Sequence, residues 1–224
     1  DLHSFPTRRS SDLHIADPET GTRRESGLMR YDFHIVIVGG GMVGACAAAL
    51  AAANPHLAEL RIAVLEAHPP AAPPEGDIDL RVSAVSRASQ RILAAAGAWS
   101  LVPQPSLSPY DDMVVWDAAG KPRGAGAIHF SASATSEPNL GHIVENRRLQ
   151  WALYDSPPFR QRITLLRAEL AGMTLESDRA VISLGDGRTL SAALVVGSDG
   201  AASLSRKLAG IGTAGLYGDR KSVV

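Results

Sequence analysis

The longest apolar pattern in the chain runs from Ile35 to Ala53, nineteen residues without a charge. Its two halves differ in texture. Phe33–Val38 (FHIVIV) is short and dense in β-branched residues, the pattern of a strand buried on both faces. Gly41–Ala53 is rich in alanine and free of proline, which predicts a helix that stops before Asn54-Pro55. Arg61–Leu65 (RIAVL) returns to the strand texture and closes on Glu66. A membrane span needs about 20 helical residues, whereas three consecutive glycines, Gly39 to Gly41, divide this stretch. The pattern predicts strand, turn, helix and strand, a βαβ unit rather than a transmembrane segment.

Further along, His68 to Gly76 (HPPAAPPEG) is a proline-rich loop that can be neither helix nor central strand. Ser86 to Gly97 reads as a helix, with Ser86 as cap and Gly97 as stop. Met113 to Asp117 and Ala127 to Ser131 predict strands around a glycine-rich turn, and Asn146 to Tyr154 a helix. Ile163 to Leu166, Gly172 to Ser177, Ala180 to Leu184 and Thr189 to Val196 predict strands, with Asp186-Gly187 as a tight hairpin turn.

Composition narrows the class. With 224 residues, 45% of them hydrophobic, the chain can bury one sizeable core. A net charge of −1 supplies no basic excess for nucleic acid. A single cysteine excludes an internal disulfide, which makes a reducing cytoplasm the expected compartment. The seven histidines show no metal-ligand spacing, so no metal site is expected, and no secretory signal is recognised. Cys46 reads as a small buried residue, His142 as structural or solvent-facing, and Trp99, Trp116 and Trp151 as packing residues.

The two ends share an origin at the level of DNA. Asp219 to Val224 can be encoded by a segment whose reverse complement, one frame over, encodes Thr7 to Asp12, and it looks like a sequencing-library adapter. Residues 1–13 and 219–224 are therefore expected to be adapter-like, non-native tails. Residues 14–28 are polar and aperiodic, read as disordered or as upstream read-through, and Met29 is the expected native start. The domain is expected to occupy residues 29–218.

The glycine turn carries the candidate chemistry. Gly39-Gly40-Gly41-Met42-Val43-Gly44 fits Gly-x-Gly-x-x-Gly, with a strand before and a helix after. Gly39 allows the tight turn, Gly41 lets a pyrophosphate approach the backbone, and Gly44 lets helix and strand pack closely. The helix N-terminus presents free N–H groups to the diphosphate beside Val43. Glu66, 22 residues after Gly44, can accept hydrogen bonds from ribose hydroxyls. NAD and FAD both offer an adenosine ribose and a pyrophosphate, and the glycines do not separate them.

Three further segments carry a resemblance. Asp79 to Ala84 (DLRVSA), with the helix after it, resembles the segment that follows the βαβ unit in flavin-dependent aromatic hydroxylases. Leu140 to Gln150 (LGHIVENRRLQ) resembles a stretch of the ubiquinone-biosynthesis hydroxylases of that superfamily. Leu194 to Arg206 (LVVGSDGAASLSR) is similar to its Asp-Gly motif. The resemblance covers Tyr31 to Gly218. It implies an α/β, Rossmann-like FAD-binding domain of the glutathione-reductase type, with an inserted partial antiparallel sheet for substrate.

The resemblance also implies a monooxygenase in which FAD, reduced by NADPH or NADH, uses oxygen to hydroxylate an electron-rich aromatic ring. The cofactor supplies the hard chemistry and the protein supplies orientation. By position, Arg81 and Arg147 would contact the flavin dinucleotide, with Asp199 and Gly200 close to it. A small aromatic or prenylated quinone precursor is the implied substrate, and a prenylated one implies peripheral contact with the inner membrane from the cytoplasm. Family members continue further and carry a later Gly-Asp motif, so the chain is expected to be an inactive N-terminal portion. No catalytic residue is assigned. Another flavin-dependent aromatic hydroxylase or reductase of the same fold, and a non-catalytic nucleotide-binding fragment, stand as alternatives.

Overall fold

The computed structural model describes residues 31–213, apart from 75, 77 and 135. The expected tails at 1–13 and 219–224, the aperiodic stretch 14–28 and the start at Met29 lie outside the described residues. The elements follow in order as β1 (Phe33–Val38), α1 (Met42–Ala53), β2 (Ile62–Leu65), β3 (Val82–Ser86), α2 (Arg87–Ala95), β4 (Ser108–Tyr110), β5 (Asp112–Val115) and β6 (Ile128–Ser131). They continue as β7 (Gly141–Glu145), α3 (Asn146–Asp155), α4 (Pro157–Arg162), β8 (Ile163–Leu166), β9 (Leu170–Leu175), β10 (Ala180–Leu184), β11 (Thr189–Gly197) and α5 (Leu204–Leu208).

The main sheet has the strand order β8-β2-β1-β11-β10-β9. Its first four strands are parallel, and β10 and β9 add on antiparallel. Alternate side chains of β1 and β2 enter two separate cores. Ile37, Ile62 and Val64 pack with Ala45, Ala48 and Ala49 of α1 and Leu149 and Leu153 of α3. Val36, Val38, Ala63 and Leu65 pack on the other face with Ile182, Leu184 and Ala192. Burial on both faces is why these strands read as unbroken apolar runs.

The buried side of α1 consists of Gly44 and the four alanines Ala45, Ala48, Ala49 and Ala52. The alanines, at i, i+3, i+4 and i+7, form a helical stripe of small side chains that lets the helix lie close against the sheet. Arg162 closes the far end of the helix, its guanidinium donating to the carbonyls of Ala52 (2.8 Å), Leu57 (3.0 Å) and Ala58 (2.5 Å). At Ala52, in the last turn of α1, this cation meets the carbonyl end of the helix and the negative end of its dipole. Among the described residues, no helix is long and apolar enough to cross a membrane.

The expected inserted sheet is present as β3-β7-β4, antiparallel, beside a separate β5–β6 hairpin. The Ser86 hydroxyl accepts from the Ser89 amide and caps α2, and Gly97 takes φ +74 after it. Leu184 and Arg188 close the β10–β11 hairpin through a 2.8 Å bond, with Gly187 at φ +87. Four differences from the sequence pattern stand out. β9 begins at Leu170 rather than Gly172, because a register shift at Ser183/Leu184 lets Leu170 pair with Leu184. α4 forms where the sequence offers two prolines, which occupy its first turn and need no helical N–H there. β3, β4 and β7 are additional strands. Trp116, read as a packing residue, is 46% exposed because it follows the solvent-facing β5–β6 hairpin.

Candidate functional site

Backbone hydrogen bonds bring the carboxyl ends of the parallel strands together. The Gly39 amide donates to Leu65 O (2.9 Å), the Ser198 amide to Val38 O (2.7 Å) and the Glu66 amide to Leu166 O (3.0 Å). At this edge lies an open cleft of about 590 Å³ lined by Gly39, Gly41, Glu66, Ala168, Asp199 and Gly200, among others. Ligands of open α/β sheets sit in the crevice outside the carboxyl ends of the strands.

The four glycines of the turn are distinguished by what a Cβ would meet. At Gly39 (φ +96) it would lie 2.5 Å from Ser198 O, and at Gly44 it would overlap Gly39 O and Ser198 Oγ. At Gly40 it would overlap the Tyr154 hydroxyl, with Glu66 Cβ at 2.8 Å. At Gly41 it would meet no atom of the described residues within 4 Å. Three glycines are therefore required by the protein's own packing, and the fourth stands before empty space at the N-cap of α1. The first amides of α1 have no intrahelical acceptor, so a concentrated set of donors faces that space.

Glu66 ends β2 beside this turn. Its Oε2 accepts the Gly40 amide at 2.8 Å and its Oε1 accepts the His68 amide at 2.9 Å. Each carboxylate oxygen keeps a second lone pair for an outside donor. Val43, in the first turn of α1, is 76% exposed.

Asp199 and Gly200 lie in the same cleft, but the Asp199 carboxylate is turned inward. It accepts the Ser203 hydroxyl (2.6 Å), the Ser205 amide (2.8 Å) and the Ser205 hydroxyl (2.8 Å). Burial pushes its carboxyl up, yet these bonds outweigh burial and hold it below the usual carboxylate range. Ser203 in turn caps α5 by accepting the Arg206 amide at 3.0 Å. Gly200 takes φ +81, with open space at its Cβ position.

Arg81 and Arg147 do not line that cleft; they gather at the β3–β7 edge. Glu145, 8% exposed at the end of β7, accepts the Asp79 amide (2.9 Å), Arg147 Nε (3.0 Å) and Arg148 Nε (2.7 Å). Arg147 Nε also lies 3.9 Å from Asp79 Oδ2. The Asn146 amide donates to Arg81 O (2.9 Å), which ties the Asp79–Arg81 loop to the start of α3. The Arg81 side chain is exposed.

One helix joins the two clusters. Gln150 Nε2 (3.0 Å) and the Tyr154 hydroxyl (2.8 Å) both donate to Gly40 O, while Arg147 stands one turn before Gln150 on α3. The sequence pattern assigns no site role to Gln150, Tyr154, Ser198 or the cleft wall at Ala168–Leu170. The spacing of Arg147, Gln150 and Tyr154, i, i+3 and i+7, was a readable sign that they share a helix face.

Two other residues read from sequence fall elsewhere. Cys46 is half-buried on α1, and burial pushes its thiol up, away from the reactive thiolate. The His142 ring meets Trp99 edge-on at 5.4 Å, its Nδ1 is buried with no hydrogen-bond partner among the described residues, and burial, then the Arg87 charge, lowers its pKa. Among the described residues no group of three or more His, Cys, Asp or Glu could hold a metal ion.

No family model matches the chain. The 3-demethoxyubiquinol 3-hydroxylase of Escherichia coli is 35% identical over 180 residues, covering 80% of this chain and 44% of that protein. Ubiquinone hydroxylase UbiL of Rhodospirillum rubrum is 34% identical over 219 residues, 95% of this chain and 48% of the relative. The mitochondrial ubiquinone biosynthesis monooxygenase COQ6 of Danio rerio is 31% identical, covering 86% of this chain and 41% of its own. The chain thus spans about half the length of the curated relatives it matches.

Among solved structures, aklavinone-11 hydroxylase in ternary complex with FAD and aklavinone superposes with a TM-score of 0.60 at 21% identity, over 83% of this chain and 36% of that one. A mutant of PqsL from P. aeruginosa gives 0.59 at 20% identity, over 81% of this chain and 47% of that one. At that identity the likeness establishes the fold.

Proposed function

We propose that this chain, a homologue of the ubiquinone-biosynthesis hydroxylases, is the FAD-binding portion of a monooxygenase that hydroxylates the aromatic ring of a ubiquinone precursor. NAD(P)H is the proposed reductant and oxygen the co-substrate. The observation that carries the reading is the contrast at the glycine turn. Packing inside the protein accounts for Gly39, Gly40 and Gly44, whereas no described residue lies within 4 Å of a Cβ placed at Gly41. A glycine facing empty space beside the free amides of α1 fits a diphosphate drawn close to the backbone.

The donor set agrees with FAD. The spare lone pairs of Glu66 suit a ribose diol, and the cleft wall at Ala168 to Leu170 sets two apolar side chains beside the Glu169 carboxylate, a surface for an adenine face and its amino group. Arg81 and Arg147, at the β3–β7 edge, supply guanidinium groups of the kind suited to phosphate and ring-edge recognition. Asp199 is proposed to hold the Gly200 turn against the cofactor through its bonds to Ser203 and Ser205 rather than by touching the cofactor itself. When bound, FAD supplies the redox chemistry, accepting a hydride from NAD(P)H and delivering one oxygen atom of O2 to the ring. The substrate follows the curated relatives, and a prenylated precursor would bring the protein to the cytoplasmic face of a membrane as a peripheral guest.

The test is direct. Protein purified without added flavin is expected to be yellow, with a chromophore that heat releases and chromatography identifies as FAD. Tight retention of NAD with no flavin would overturn the reading.

A further inference from the structure

Both peptide planes of the glycine turn are held by side chains from distant parts of the chain. The plane joining Gly39 and Gly40 is fixed at its two ends, with Ser198 Oγ donating to Gly39 O (2.8 Å) and the Gly40 amide donating to Glu66 (2.8 Å). The next plane, joining Gly40 and Gly41, is gripped at its carbonyl alone. There Tyr154 Oη (2.8 Å) and Gln150 Nε2 (3.0 Å) converge on Gly40 O from successive turns of α3. The described peptide bonds include no cis bond. In a trans peptide the N–H points opposite to the C=O. Fixing Gly40 O against α3 therefore turns the Gly41 N–H away from α3, and Gly41 has open space before it.

We propose that Tyr154 and Gln150 are positioning residues, which aim the Gly41 amide and the first amides of α1 at the diphosphate of the bound dinucleotide. They do not touch the cofactor; they act through Gly40. The arrangement also explains why the position between the first two motif glycines is itself a glycine, since any side chain there would displace the Tyr154 hydroxyl. Tyr154 is 8% exposed, and burial, reinforced by the Glu66 charge, pushes its pKa far up. The phenol therefore keeps its proton at physiological pH, so the grip is not loosened by deprotonation. Because Arg147 stands on the same helix, α3 sets the turn and this guanidinium as one body.

The inference rests on the dinucleotide reading, and the experiment separates the two. ADP and adenosine are titrated calorimetrically into the wild-type chain and into Tyr154→Phe and Gln150→Met. The second variant changes a half-buried side chain and guards against a folding defect in the first, with thermal melts run on all three. The wild type should bind ADP more tightly than adenosine. Each variant should weaken ADP about tenfold, the loss of one well-aimed donor set, and leave adenosine unchanged. Equal weakening of both ligands would reduce Tyr154 and Gln150 to general packing, and no change in either would remove their role; each result overturns the proposal and spares the dinucleotide reading. A wild-type chain that does not prefer ADP to adenosine would overturn that reading as well.

Discussion

Glu66 and Gly40, 26 residues apart, are joined by a 2.8 Å bond from the Gly40 amide to Oε2. The acid that closes β2 thus also closes the turn leaving β1, and any ribose bound there would share a carboxylate that the fold already uses. Replacing Glu66 with alanine strands two amides, those of Gly40 and His68. Hydrogen bonds to a charged group contribute about 1.5–3 kcal/mol each. The expected outcome for Glu66→Ala is FAD or ADP affinity weakened at least tenfold together with a lower melting temperature, read by calorimetric titration and thermal denaturation.

Gly41 and Gly44 invite opposite predictions from the same substitution. A Cβ at Gly44 would overlap Gly39 O and Ser198 Oγ, so α1 must move off β1. Overpacking of this kind costs about 1–3 kcal/mol or more, and Gly44→Ala should melt several degrees lower. A Cβ at Gly41 meets nothing, and the φ of −62 at that residue suits alanine. Gly41→Ala should therefore stay within about 1 kcal/mol of wild-type stability, the price of a poorer N-cap, while losing ADP affinity by tenfold or more. Equal stability losses in the two variants would contradict this division of labour.

This contrast also marks how far the sequence could be read. β1, α1 and β2 were legible because burial on both sheet faces leaves an unmistakable apolar run, and the cap at Ser86 and stop at Gly97 are local signals. β3 (VSAVS), β4 (SPY) and β7 (GHIVE) were not, since strands this short with mixed polarity take their state from their partners. α4 was not legible because the place of its two prolines in a first turn depends on where the helix begins. At the site, Glu66 and the glycines lie within one βαβ unit and could be linked by spacing. The grip of Tyr154 on Gly40 spans 114 residues and leaves no local pattern. Asp199 was legible as a motif but not as an inward-facing cap, because its serine partners look like any polar turn.

Glu145 sets an acid limit on stability. Burial pushes its carboxyl up, but the bonds from Arg148, the Asp79 amide and Arg147 prevail and hold its pKa below the ordinary 4.5. A depressed folded-state pKa contributes stability that is fully present above 4.5 and is lost as pH falls through the folded value. Melting temperature should therefore stay level from neutral pH to about 5 and drop below 4.5. Glu145→Gln should cost about 3 kcal/mol at neutral pH, the order expected for breaking a buried ion cluster. It should also flatten the acid slope, and a variant that keeps the wild-type slope would assign the acid transition to other carboxylates such as Asp199.

The β5–β6 hairpin supplies the last prediction. Met113 pairs with Phe130 and Val115 with Ile128, so these four side chains share one face of the ribbon. All four are exposed, and Trp116 follows them. The opposite face carries Asp112 and His129, joined at 2.8 Å. A two-stranded ribbon with one apolar side open to water is a site for self-association. The double variant Val115→Thr, Ile128→Thr keeps the β-branched shape that strands favour while removing apolar surface. Exposed positions of this sort shift stability by about 0.5 kcal/mol or less each, so the melting temperature should hardly move. Binding of a hydrophobic dye should fall and the monomer fraction in sedimentation should rise. Unchanged dye binding and sedimentation would mean that this face is covered in solution by other parts of the chain.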